Sequence, residues 1–219
     1  VNEGVPEWPP SPYRLVRALY DAWKRKRPHL AESAVLEVLR ALAETPPSFR
    51  LPKAVASHTR SYLSSNTTDP SDKRLIFDAF VAIPKNNRCF MEWPAELTEG
   101  QKRTLTELLE ALNYLGRSES WVEARLTDGC TGGLLDFDPV DRAEAGGDLM
   151  SVACPVPEPE YRGPGKWLDA LTYSTTEMLK EKRTAPPAMQ NVNYLAPRNA
   201  VVTWISSRRP AGGKEVTGV

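Results

Sequence analysis

Apolar positions recur along this chain with two different periods, and the switches between them mark out its elements. Between Ser11 and Arg27, the residues Leu15, Val16, Leu19, Ala22 and Trp23 fall at i, i+1, i+4, i+7 and i+8 and make one helical stripe. Ser11 suits the N-cap, and Pro12 the first helical position, where a missing N–H costs nothing. Leu30 to Thr45 repeats the period through Ala34, Val35, Val38, Leu39 and Leu42, until Pro46 and Pro47 stop it. Phe49 to Val55 reads as irregular or edge-like, because Pro52 interrupts it. Arg74 to Ile83 then alternates, with apolar residues at most positions of both faces, which predicts a strand buried on both sides. A turn at Pro84–Asn87 leads to a short strand at Arg88 to Trp93. Thr98 to Leu115 is the most regular helix, opened by a Thr98–Gln101 capping box and closed at Gly116. Trp121 to Leu126 alternates as a strand, and Leu149 to Cys154 is a further strand. Lys166 to Arg183 predicts one helix with Trp167, Leu168, Leu171, Met178 and Leu179 inward. Asn191 to Leu195 and Asn199 to Ser206 predict closing strands.

Three stretches lack periodicity. Leu63 to Lys73 is polar and reads as a loop, Thr127 to Gly147 is rich in Gly and Asp, and 155–164 is rich in Pro. The order of elements gives an α+β class with mainly antiparallel strands and helices on one face of the sheet, as in ferredoxin-like (RRM-like) RNA-binding folds. The expected organisation is a core over residues 1–126, a loop region over 127–164, and a helix with closing strands over 165–219 that continues into a second domain.

Composition narrows the class. The 219 residues carry 28 Lys and Arg against 28 Asp and Glu, so the chain is no simple polycation, and nucleic-acid binding requires local patches. No apolar run approaches the roughly 20 residues of a membrane helix. Cys89, Cys130 and Cys154 lack CxxC spacing, which argues against a disulfide scaffold and a zinc site and fits a reducing cytoplasm. One local patch stands out. Tyr13 to Arg27 holds Arg14, Arg17, Lys24, Arg25, Lys26 and Arg27 against Asp21 alone, six positive charges less one, or +5. Tyr13, Tyr20 and Trp23 are interleaved with them. Phosphates take such charge and bases stack on such rings, although a solvated amphipathic helix end has the same composition.

Only His29 and His58 titrate near neutrality. His29, after Pro28, suits a surface or capping role. His58 lies with Ser57, Arg60 and Tyr62 within six residues. Three roles are open for this group: gripping RNA, closing a polar strand end, or metal-free phosphodiester cleavage. In the last, His58 would act as acid or base, Tyr62 as proton donor and Arg60 as stabiliser of the phosphorane charge. There is no P-loop, GxGxxG or HExxH. Gly132-Gly133 and Gly146-Gly147 lack the helix start of a phosphate cradle. Asp128, Asp136, Asp138 and Asp141 lack EF-hand spacing and read as an acidic loop, so no metal or cofactor is expected.

The stretches VNEGVPEWPPSPYRLVRAL, SHTRSYL, RLIFDAFVAI and LNYLGRSESWVEARL span roughly residues 1–126. They resemble the amino-terminal half of a CRISPR-associated subunit of type I-G (formerly I-U) systems, a fusion of a Cas-five-like part with a Cas-six-like part. The resemblance implies a repeat-associated, ferredoxin-like RNA-binding fold. It implies a cap on the interference complex that holds the 5′ handle of the guide RNA. It also implies contact with the backbone subunit and the large subunit, with target DNA engaged only indirectly. The Cas-six-like part of such fusions cuts repeat RNA. The strand that opens such proteins would lie before Val1, and no complete ribonuclease is expected within this chain. The RNA contacts expected here are Tyr13, Arg14, Arg17, Lys24, Arg25, Lys26, Arg27, His58, Arg60 and Tyr62, with residues 64–73 as a protruding loop.

Overall fold

In the computed structural model, residues 7–64, 73–116, 120–130, 132–140, 148–198 and 200–203 are described. Helix α1 (Pro12–Lys26) begins where Ser11 Oγ accepts the Arg14 N–H, and α2 (Glu32–Glu44) follows after a short break. Strands β1 (Ser48–Leu51), β2 (Ala54–Ser64), β3 (Lys73–Ala82) and β4 (Phe90–Glu92) precede α3 (Glu99–Glu110). Then come β5 (Leu135–Pro139), β6 (Asp148–Pro155), a 3₁₀ turn at Glu158–Glu160, α4 (Trp167–Leu171), α5 (Thr175–Lys180), β7 (Met189–Ala196) and β8 (Val201–Thr203).

The fold is α+β with two sheets. Five strands run in the order β4-β1-β5-β7-β6, and every described pair among them is antiparallel. The other sheet runs β3-β2-β8, with β2 antiparallel to β3 and parallel to β8.

Two cores hold the chain. The first is helical. Val16, Leu19 and Trp23 of α1 meet Val35, Val38 and Leu39 of α2, Leu105 and Leu108 of α3, and Trp167 and Leu171 of α4. The second lies on the five-stranded sheet, where Phe49, Leu51, Phe137, Val152, Cys154 and Tyr194 are buried together. Ala153 sits between two of these residues, points to the opposite face and packs against the helical core, as strand alternation requires. Ser11 Oγ ties that seam by donating to the Ala153 carbonyl at 2.7 Å.

Several expectations are corrected. β1 is no edge, since it lies between β4 and β5 and Pro52 falls just beyond it. β3 is not buried on both faces. Phe80 is 41% exposed, and no described side chain of the strand is fully covered; among the described strands β3 pairs with β2 alone. The turn after β3 is present, with Asn87 N–H on Pro84 O and Asn86 at φ 71°, yet β3 and β4 join different sheets. The loop expected from Thr127 contains β5, whose Leu135 and Phe137 alternate with Asp136 and Asp138; residues 141–147 lie outside the described ones. Helix α3 ends at Glu110, before Leu112 and Leu115. The expected helix at 166–183 is two. A second capping box, Ser174 with Glu177, starts α5 afresh, and Leu179 stands 75% exposed. The run at 121–126 makes a single bridge, Trp121 to Tyr114, and no strand. Of the loop expected at 63–73, residues 65–72 lie outside the described ones, while β2 reaches Ser64 and β3 begins at Lys73.

Candidate nucleic-acid interface

The two stretches singled out by charge occupy different units: α1 packs on α2, α3 and β6, whereas β2 packs on β3 and β8. In α1 the 3.6-residue period turns the rings inward. Tyr13 is 5% exposed, and burial pushes its hydroxyl above the ordinary tyrosine range. Trp23 is buried and donates its indole N–H to Leu30 O at 3.1 Å.

The cations of α1 have partners within the chain. Arg14 pairs with Glu7 at 2.6 Å and its guanidinium lies where a Cβ on Gly116 would fall; Gly116 also has a φ of +86°, which suits glycine. Arg17 donates to Tyr173 O at 3.3 Å and sits 5.7 Å from the Tyr13 ring centroid. Lys24 lies 3.5 Å from the Trp23 centroid. Arg25 pairs with Asp21 at 2.7 Å. Lys26 donates to Ala111 O at 2.7 Å, at the negative end of α3, where a cation is favoured. The Arg27 guanidinium donates to the Lys26 carbonyl, and its backbone N–H closes α1 on Ala22 O and Trp23 O. A phosphate arriving here would compete with partners already in place. Arg14, Lys24, Arg25 and Lys26 are exposed around these contacts, Arg25 with 74% of its side chain in solvent.

In β2 the difference lies in which way the side chains face. A strand's period of two puts His58, Arg60 and Tyr62 on one face. Tyr62 is 67% exposed and Arg60 is exposed, while His58 is half-covered. Arg60 Nε donates to His58 Nε2 at 3.3 Å, which aligns the two side chains along the strand. Their opposite numbers on β3 are Ala79, Phe77 and Leu75. Ser57, Thr59 and Ser61 belong to the reverse face. Among the described residues, neither core includes a side chain of β2 from Val55 to Tyr62. The antiparallel ladder runs from Val55 to Ser64, so the face is carried on a long ribbon.

The remaining candidates fall elsewhere. His29 pairs with Glu107 at 3.1 Å on the surface. Asp136 and Asp138 share Arg50 with Glu92, at 3.1, 3.2 and 3.4 Å, in a charged knot across β4, β1 and β5. Asp128 is exposed, and Asp141 lies outside the described residues. Among the described residues, no group of three or more His, Cys, Asp or Glu could hold a metal ion. No described helix is long and apolar enough to cross a membrane. Sequence reasoning missed the Arg50 knot. The signal was the alternation Leu135-Asp136-Phe137-Asp138, which flanking glycines and aspartates conceal. Compared with known protein families, curated proteins and solved structures, the chain matches none.

Proposed function

We propose that this chain binds a single-stranded guide RNA through the exposed face of β2. In this reading it is the 5′-handle cap of a type I CRISPR interference complex in the cytoplasm, of the type I-G kind, and serves antiviral defence. The observation that carries the reading is the triad His58, Arg60 and Tyr62 at alternate positions of a strand outside both cores. Arg60 would meet phosphate, and Tyr62 and His58 would stack on bases, a combination that holds a strand with little regard to its sequence. The exposed Lys24 and Arg25 of α1 would add to the attractive field at longer range. The α+β build, with an antiparallel sheet against α1, supports a ferredoxin-like, repeat-associated fold as the finer architecture. The neighbours in such a complex would be the backbone subunit and the large subunit.

A second reading uses the same face. His58 beside Arg60 and Tyr62 has the residue types for metal-independent cleavage of precursor guide RNA. One experiment addresses both. The purified chain is titrated with a short repeat-derived RNA over a salt series, by fluorescence anisotropy, and the RNA is then run on a denaturing gel. The binding reading predicts an affinity that falls with salt, by a log–log slope of about −0.7 per phosphate contacted. It also predicts intact RNA, whether His58 is present or replaced by Ala. Affinity indifferent to salt would count against it. Cleavage abolished by His58→Ala with binding retained would favour the enzyme.

A further inference from the structure

The run Trp121–Leu126 has the sequence of a strand, and among the described residues it pairs only through one bridge. Trp121 bridges antiparallel to Tyr114, with Leu115 N–H on Ser120 O and Val122 N–H on Asn113 O, both at 3.0 Å. Past Val122, among the described residues, no backbone hydrogen bond ties residues 123–126 to the rest of the chain. From Trp121 to Arg125 exposure alternates as along a strand: Trp121, Glu123 and Arg125 are exposed, while Val122 and Ala124 pack half-buried on the helical core; Leu126 is exposed again.

The bridge fixes which edge is open. Ser120 and Val122 aim their backbone groups at the Asn113–Leu115 side. Those of Trp121, Glu123 and Arg125 therefore aim away from it. Beside this edge Trp121 is 85% exposed, and with Tyr114 and Leu126 it lines a groove of about 1020 Å³ against the end of α3. A purely apolar cover would leave the edge's N–H and C=O groups without protein partners. An added strand supplies hydrogen bonds and cover together.

We propose that a second copy of this chain supplies that strand. The two Trp121–Leu126 runs pair antiparallel about a two-fold axis at Ala124. The register follows from charge. Only the odd-numbered residues face the open edge, so odd must oppose odd. Centring the pair on Glu123 opposes two carboxylates, and centring it on Arg125 opposes two guanidinium groups; both are repulsive. Centring on Ala124 opposes Glu123 to Arg125 twice over, Val122 to Leu126, and Trp121 to Thr127. Glu123 and Arg125 already form an ion pair within one chain. Across the axis the two pairs become one array of alternating charge, self-complementary as a two-fold interface requires.

Sedimentation velocity of the whole chain over a concentration series tests this. The wild type is expected to move from 24.4 kDa to twice that mass as concentration rises. Glu123→Lys and Arg125→Glu each place like charges opposite one another at two points, and each raises the dissociation constant about tenfold or more. The double variant E123K/R125E restores association, which excludes misfolding as the cause of the single losses. A wild type of single-chain mass at every concentration would leave the edge to a strand of some other protein and overturn the proposal. Single variants that associate like the wild type, or a double variant that does not recover, would overturn it equally.

Discussion

Helix α1 and strand β2 both set cations beside rings, and the fold uses them in opposite ways. In α1 a period of 3.6 carries Tyr13 and Trp23 into the helical core, and the cations settle onto partners inside the molecule: Arg17 on Tyr173 O, Lys26 on Ala111 O. In β2 a period of two carries His58, Arg60 and Tyr62 to one side of a ribbon, where no core receives them. Positive charge beside aromatic rings thus has no fixed meaning. The period of the element decides whether such a group is packed into a core or carried outside one.

The largest effect expected from this contrast is on stability. Leu19 is wholly buried among three helices. Leu19→Ala should cost about 2–5 kcal/mol, through lost transfer energy and the cavity left behind. Tyr62→Ala, at a site 67% exposed, should change stability by no more than about 0.5 kcal/mol. Denaturant unfolding of the two variants beside the wild type measures both. Equal losses would erase the distinction between the regions.

A smaller effect sharpens the comparison within α1 itself. Lys26→Met removes the donor that closes α3 at Ala111 O and should cost about 1 kcal/mol. Arg25→Met breaks only the exposed pair with Asp21, which is worth no more than about 0.5 kcal/mol. The same unfolding experiment resolves the two if the lysine is structural. Indistinguishable midpoints would return Lys26 to the solvated surface.

How far the chain could be read in advance follows the same division between local and distant causes. Helix α1 was legible because its stripe, its Ser11 cap and its Pro12 start all lie within one stretch. The Thr98–Gln101 box that opens α3 was legible for the same reason. The partners of Arg17 and Lys26 were not, because Tyr173 and Ala111 stand 156 and 85 residues away and only the fold brings them close. β5 was hidden because Asp136 and Asp138 look like loop residues until Arg50 arrives from β1 to pair with them. The helix expected at 166–183 is broken by a local signal, the capping box of Ser174 with Glu177. For β3, apolar residues on both faces suggest burial, whereas the strand lies at the end of its sheet with Phe80 41% exposed. At the candidate site the alternation of His58, Arg60 and Tyr62 was present in the sequence. Their place outside both cores depends on distant packing, which the sequence does not carry.

The most direct measurement compares the two regions against RNA. A short single-stranded repeat RNA is titrated at fixed low salt with the wild type, with H58A/R60A/Y62A, and with K24A/R25A. Loss of the β2 side chains should reduce affinity by about a hundredfold or more, since stacking alone contributes about 1–3 kcal/mol per base. Loss of the two α1 cations should reduce it by only about three- to fivefold, as long-range charge does. The account is contradicted if the β2 variant binds as tightly as the wild type, or if the α1 variant suffers the larger loss.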